Sequence, residues 1–285
     1  MSTLESKRDC LVELLRAMGQ VAVAFSGGID STVVAKAAQI ALGESAVAVT
    51  ADSPSVPRAE IAEAKHLAEQ IGIQHRIVMT GEFANPDYTK NDGTRCYFCK
   101  DELYTQIESL LPQLECDIIV SGANLDDRGD YRPGLIAAAE HRVRHPLQEA
   151  GFTKADVRAL ALAWGLPTWD KPASPCLSSR LAPGVAVTPE RTARIEAAEA
   201  HLKRLGYREF RVRLHEGELA RIEVPPDGLA KLVEPNVLAD LVKYLKSLGF
   251  RYVTLDLEGF RSGNLNDLIP LTMRMPTLST IDRRK

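Results

Sequence analysis

Residues 21–32 read Val-Ala-Val-Ala-Phe-Ser-Gly-Gly-Ile-Asp-Ser-Thr, and they decide the fold. Residues 21–25 form an apolar, partly β-branched run with the length of a buried parallel strand. Two glycines follow, and from Thr32 onward the composition is helical. A strand that turns through Gly27 and Gly28 into a helix aims backbone N–H groups and a positive dipole end at one point. That point suits an anion, most naturally a phosphate. The glycines let the main chain come close without a Cβ in the way. Ser26 and Ser31 add hydroxyls, and Asp30 can hold a metal-bound water or the turn itself. The loop is not a Walker loop, which requires a Lys beside its Ser/Thr, nor is it G-x-G-x-x-G.

Strand and helix alternate on either side of this loop. Residues 4–18 carry Leu4, Leu11, Leu14, Leu15 and Met18 at helical spacing. Residues 45–51 read as a second buried strand, ending in Asp52-Ser53-Pro54. Residues 57–72 read as a helix, with Pro57 near its first turn and Gly72 past its end. Residues 75–80 are a third strand, 117–123 a further one, 143–146 a short fifth, and 153–164 a helix started by Thr153. This order predicts an α/β fold, a doubly wound parallel sheet with ligands at the carboxyl edge of its strands. Asp52 and Ser53 then lie where a nucleoside sits. Asn124, Asp126, Asp127, Arg128, Asp130 and Arg132 follow another strand end on the same edge.

Residues 166–185 hold four prolines and read as a crossing segment. From Pro189 the order helix, two strands, helix, strand predicts a small α+β unit. The expected organisation is a nucleotide domain over 1–170, a crossing segment over 171–187, and a C-terminal α+β domain over 188–285 for substrate binding and oligomerisation.

Composition bounds the function. The chain has 285 residues, enough for two domains, and its 45% hydrophobic and 26% charged residues are those of a soluble globule. A net charge of -3 gives no bulk attraction to nucleic acid, so no nucleic-acid partner is expected. No apolar run approaches a membrane span, and Met-Ser-Thr-Leu-Glu-Ser-Lys is no signal peptide, so a cytoplasmic protein without a membrane partner is expected. Its cysteines are then thiols or metal ligands rather than disulfides.

Cys10 and Cys116 read as packing residues. Cys96 and Cys99 form Cys-Tyr-Phe-Cys between Arg95 and Lys100, and Cys176 lies in Ser-Pro-Cys-Leu-Ser-Ser-Arg over 174–180. A lone CxxC fits zinc, an iron–sulfur cluster, a redox dithiol or a chance turn. With Cys176 there are three soft ligands. Zinc would need a fourth, whereas three thiolates on a four-iron cluster leave one iron open for a sulfide. Arg95, Lys100 and Arg180 favour a thiolate electrostatically.

Ser26-Gly27-Gly28-Ile29-Asp30-Ser31 resembles the S-G-G-x-D-S loop of the PP-loop ATP pyrophosphatases. With residues 122–134, the Pro-Cys-Leu-Ser-Ser-Arg motif over 175–180 and Gly-Phe-Arg-Ser-Gly over 259–263, nearly the whole chain resembles the LarE family. These are ATP-dependent sulfur transferases of nickel-pincer nucleotide biosynthesis. The resemblance implies ATP and Mg²⁺ as cofactors and adenylation of a carboxylate of pyridinium-3,5-biscarboxylic acid mononucleotide, followed by conversion to the thiocarboxylate. It implies that Ser26, Ser31 and the amides of Gly27, Gly28 and Ile29 bind the departing pyrophosphate, and that Asp30 acts through Mg²⁺. Asn124 and Asp127 join Asp52 and Ser53 at the ATP site. The family has two sulfur sources: a sacrificed cysteine matching Cys176, or a [4Fe-4S] cluster held by that cysteine and a CxxC pair. Cys96, Cys99 and Cys176 resemble the cluster-bearing version. A homo-oligomer, of which a hexamer is one form, and an unknown sulfide donor are implied as partners.

Other site residues read from position alone. Arg180, with Ser179, is placed to grip a substrate carboxylate or phosphate. Arg211 and Arg213 alternate along a strand and share one face, which suits the phosphate of a mononucleotide or a solvated surface. Glu199, a helical turn from Glu196, fits a metal or ribose ligand or a solvated helix face. A tRNA thiolase, an ammonia-using PP-loop synthetase and a nucleotide-sensing module are the rival readings.

Overall fold

The computed structural model describes residues 3–129, 133–172 and 174–261. In chain order the elements are α1 (Leu4–Met18), β1 (Val21–Ala24), α2 (Ile29–Leu42), β2 (Ala46–Asp52), α3 (Arg58–Ile71), β3 (Gln74–Met79), α4 (Pro86–Thr89), α5 (Arg95–Leu114), β4 (Ile118–Val120), α6 (Pro133–Glu140), α7 (Pro146–Glu149) and α8 (Lys154–Ala163). They continue with α9 (Pro189–Arg204), β5 (Arg211–His215), β6 (Leu219–Glu223), α10 (Leu229–Leu232), α11 (Pro235–Ser247) and β7 (Tyr252–Leu255). The chain divides into two compact units. The first comprises residues 1–82 and 96–174, the second 83–95 and 175–285. Among the described residues no helix is long and apolar enough to cross a membrane.

The first unit holds the expected parallel sheet, with strand order β3-β2-β1-β4. β1 is central, pairing Val21 with Ala46 on one side and with Ile118 on the other. Val21, Ala22 and Val23 are wholly buried, as a strand covered on both faces must be. β3 is an edge strand, with Gln74 and Arg76 exposed in alternation, Val78 buried and Met79 exposed at its end. The helices bury Leu11 and Leu15 of α1, Val33 and Val34 of α2, Leu67 of α3 and Leu160 of α8 in one core. Local signals set their ends: Thr3 caps α1, Thr153 and Asp156 form a capping box on α8, and Gly72 closes α3 at φ +77°. The short strand expected over 143–146 is absent. Only Arg144 bridges to Val120, because Pro146 starts a helix at once.

At the carboxyl edge of this sheet β4 leaves through Gly122, hard against the first turn of α2. A Cβ there would lie 2.7 Å from the Ser31 nitrogen and 2.8 Å from the Asp30 carbonyl carbon. That close approach locks the strand end to the helix start.

The second unit has a three-stranded sheet, β5-β6-β7, with β5 and β6 antiparallel and β7 parallel to β6. α9 and α11 bury Ile195, Leu202, Leu241 and Leu245. The segment over 83–95, which the sequence reading included in a nucleotide domain over 1–170, clusters with this unit. Asn91, buried at φ +57°, donates through Nδ2 to the carbonyls of Ala182 (2.9 Å) and Val185 (3.0 Å), and Val187 N–H donates to Thr89 O at 2.8 Å.

Gly122→Ala should lower the unfolding free energy by about 1–3 kcal/mol, because the contacted atoms are backbone and cannot swing away. Urea denaturation measures it, and an unchanged midpoint would contradict the packing.

Candidate active site

The loop between β1 and α2 is built as an anion cradle. Phe25 N–H prolongs the β1 ladder onto Val49 O (2.8 Å), and Gly27 then turns at φ +70°, a conformation that strains any side chain. Gly28 caps α2 without a side chain, leaving the amides of its first turn for an external acceptor. Ser31 Oγ accepts from Ser26 N–H (3.2 Å) and donates to Gly28 O (3.0 Å), while the Ser26 and Ser31 hydroxyls lie 3.2 Å apart. These bonds fix the loop from within.

Asp30 sits in the first turn of α2, where its Oδ1 accepts from Asn124 Nδ2 at 3.1 Å and its Oδ2 pairs with Lys154 Nζ. Asp127 accepts from Asn124 N–H (2.9 Å) and Asp126 from Lys154 N–H (2.8 Å), so these two carboxylates hold the loop after β4 and the start of α8. Asp130 and Arg132, and Ser262 to Asn264, fall outside the described residues, and so does the side chain of Arg128. At the end of β2, Asp52 binds Arg58 (2.5 Å). Buried Ser53 bonds to Ser55 (2.8 Å), which donates to the buried Glu82 (3.2 Å).

Cys96 and Cys99 lie one turn apart at the start of α5, the first exposed and the second partly buried. None of the five cysteines is in a disulfide. α6 is pinned to α5 by Tyr97 donating to Glu140 (2.6 Å) and by His141, whose ring nitrogens lie 3.0 Å from Asp101 and from Glu108. Burial opposes the charge on His141, but the two carboxylates overcome it and raise its pKa above 6.5.

In the second unit Cys176, partly buried, starts a single 3₁₀ turn over Leu177–Arg180. Arg180, 2% exposed, gives its fork to Glu199 (Nε–Oε1 3.1 Å, Nη2–Oε2 3.2 Å) and its Nη1 to the carbonyls of Pro175 and Cys176. It therefore holds the Cys176 turn. Glu199 also accepts from Val212 N–H (3.1 Å). Ser179 Oγ donates to Cys176 O at 2.7 Å. Arg213 is buried against Glu223 (3.0 Å) and donates to Ser179 O (3.1 Å). Arg211 lies over the Phe260 ring, and burial first, then repulsion from Arg180, pushes its guanidinium down to about 10. Tyr88 hydroxyl bonds to Ser178 (2.7 Å), and Arg95 donates to Ser178 O (2.6 Å) immediately before Cys96 in the chain. Among the described residues no group of three or more His, Cys, Asp or Glu side chains is arranged to hold a metal ion.

A family profile described as asparagine synthase matches residues 6–90, the stretch containing the cradle. An uncharacterised protein of Synechocystis is 47% identical over 266 residues, 93% of this chain and 99% of its own length. The pyridinium-3,5-bisthiocarboxylic acid mononucleotide synthase of Lactiplantibacillus plantarum is 42% identical over 272 residues, 94% of this chain and 97% of that one. The chain belongs to this synthase family, known as LarE. It is an ATP-dependent sulfurtransferase by family. A tRNA-specific 2-thiouridylase of Azorhizobium caulinodans is 29% identical over 195 residues, covering 54% of this chain and 49% of that protein.

For this LarE chain the structure adds residues that the sequence reading passed over. Lys154 and Lys171 reach the cradle from 124 and 144 residues away. Arg58 holds Asp52, Glu223 holds Arg213, and Asn91 holds the Cys176 side of the second unit. Only the cap before Lys154 had a sequence signal, in Thr153.

Glu199→Ala should cost about 3–5 kcal/mol of stability, because it strands a buried guanidinium whose side chain is 3% exposed. A loss below about 1 kcal/mol in urea unfolding would show that Arg180 finds another partner. His141→Gln should remove a pH-dependent contribution. The folded pKa lies above the unfolded 6.5, so the stability is fully present below pH 6.5 and fades as pH rises through the folded value. Denaturation of both proteins across that range measures the difference.

Proposed function

We propose that this protein adenylates a carboxylate of pyridinium-3,5-biscarboxylic acid mononucleotide with ATP and converts it to the thiocarboxylate, in the cytoplasm and as a homo-oligomer. The observation that carries the reading is the cradle over 26–31, with its left-handed Gly27 and side-chain-free helix cap, in a chain 42% identical along nearly its whole length to a synthase of the bisthiocarboxylic product. The substrate carboxylate oxygen attacks the α-phosphorus of ATP and pyrophosphate leaves. The amides of Gly28 and Ile29, with the hydroxyls of Ser26 and Ser31, take the developing negative charge without reorganising. Asp30, its oxygens held by Asn124 and Lys154, would meet Mg²⁺ through a metal-bound water, with phosphate oxygens completing an all-oxygen donor set that suits the ion. Asp52 and Ser53 border the nucleoside. Arg211 takes the substrate phosphate, with Arg213 and Arg180 near enough to act on its charge.

Sulfur then replaces the adenylate at the carboxyl carbon and AMP departs. The donor chemistry of Cys96, Cys99 and Cys176 fits a [4Fe-4S] cluster: three thiols, two of them one turn apart at a helix start. Arg95, the residue before Cys96, donates to Ser178 O in the turn after Cys176. Such a cluster supplies the transferable sulfide. The chain's part is to hold the Cys176 turn rigid, through Arg180, Ser179 and Asn91, and to keep positive charge beside the sulfur. The second reading, in which Cys176 surrenders its own sulfur and becomes dehydroalanine, is served by the same rigid turn.

Anaerobic purification should give about four irons and matching labile sulfide per chain, lost in Cys96→Ala, Cys99→Ala or Cys176→Ala. Substrate-dependent ATP–pyrophosphate exchange should survive in Cys176→Ala while thiocarboxylate formation stops. Iron-free wild type that loses the Cys176 sulfur on turnover, by mass spectrometry, would favour the second reading. No exchange at all would overturn adenylation.

A further inference from the structure

The cradle carries no lysine of its own, yet two lysines converge on it from distant parts of the same unit. Lys171 Nζ lies 3.4 Å from Gly27 O and is steadied by Glu60 (2.8 Å) and Glu63 (2.9 Å) of α3. Glu60 is itself fixed by Ser174 Oγ at 3.0 Å. Lys154 Nζ pairs with Asp30 Oδ2, opposite the Asn124 amide on Oδ1. Its position is set by the capping box of α8 and by Asp126, which accepts from its own N–H.

The peptide unit is planar, and its C=O and N–H point in opposite directions. A cation holding the Gly27 carbonyl therefore turns the Gly28 N–H the other way. That N–H has only a long contact, 3.4 Å, to Ser26 Oγ, so it remains largely available to an acceptor. At Asp30 the problem is charge. A carboxylate in the first turn of α2 competes with an incoming phosphate for the positive helix end, and the Lys154 ammonium cancels it.

We propose that Lys171 and Lys154 are the cradle's cationic partners, Lys171 orienting the Gly27–Gly28 peptide toward the terminal phosphates of a nucleoside triphosphate and Lys154 neutralising Asp30 beside them. A lysine inside a Walker motif reaches the phosphates itself; these two act from outside the loop, through its own carbonyl and carboxylate. Both are positioning residues. The inference rests on the ATP reading above, and it makes the lysines selective: they act on the pyrophosphate end of the nucleotide and leave the nucleoside end alone.

Isothermal calorimetry of the full-length protein with ATP, pyrophosphate and AMP tests it. Lys171→Met and Lys154→Met should each weaken ATP and pyrophosphate about tenfold while AMP changes less than about twofold. The salt dependence of ATP affinity should become shallower in both. Lys154, with a side chain 38% exposed, is the substitution that folding tolerates better, and thermal melts check both. Lys171→Arg, which keeps the charge, should recover most of the ATP affinity. Equal weakening of ATP and AMP would mean that the lysines merely brace α3 and α8, and unchanged ATP binding in both variants would mean that they do not touch the cradle's function; either overturns the proposal and leaves the ATP reading intact. Wild type that binds AMP and ATP with the same affinity overturns the proposal. Wild type that binds neither overturns it together with the ATP reading.

Discussion

A left-handed turn at one glycine governs the chemistry available to the first unit. At Gly27 the chain leaves a strand buried on both faces and must enter a helix within a few residues, and φ +70° is what makes the corner. Beyond the corner, β4 presses through Gly122 on the first turn of the helix, at Asp30 and Ser31. Backbone amides that would otherwise bond within a helix or to water are thereby gathered at one spot. The apolar packing of β1, β2 and α2 holds this donor-rich turn in place.

The second unit handles charge in the opposite way. Two of its guanidiniums are folded inward onto carboxylates, Arg180 on Glu199 and Arg213 on Glu223, where removing either partner leaves a desolvated ion. Arg180 adds the carbonyls on both sides of the peptide entering Cys176, so an ion pair becomes a backbone clamp. Arg211 lies on the Phe260 ring, where burial first and then repulsion from Arg180 oppose its charge.

Much of this was legible in the residues. The cradle, the flanking strands and the boundaries of α3 and α8 follow from composition, a proline, a glycine and a cap, because each of these acts over a few residues. Arg180 shows where legibility ends: the sequence identifies a bidentate donor beside Cys176, but not that Glu199 takes the fork. Asn91 is bound to carbonyls about 90 residues on, and Lys171 to a carbonyl 144 residues back, so neither leaves a local pattern. The strand expected at 143–146 failed for a local reason that was present but outweighed, the proline at its end. The helix over Arg95–Leu114 was hidden by reading Cys-Tyr-Phe-Cys as a metal site, a redox dithiol or a chance turn, though its i, i+3 spacing equally begins a helix.

The excursion of the chain over 83–95 has a consequence for how the molecule can be taken apart. The polypeptide passes from one unit to the other at 82–83, at 95–96 and at 174–175, so neither unit is a continuous cassette. Cys96 is the first residue after the second passage and Cys176 is the second residue after the third. The sulfur-bearing positions thus sit on the strings that tie the halves, and shuffling either half into another protein would sever the connection that carries them.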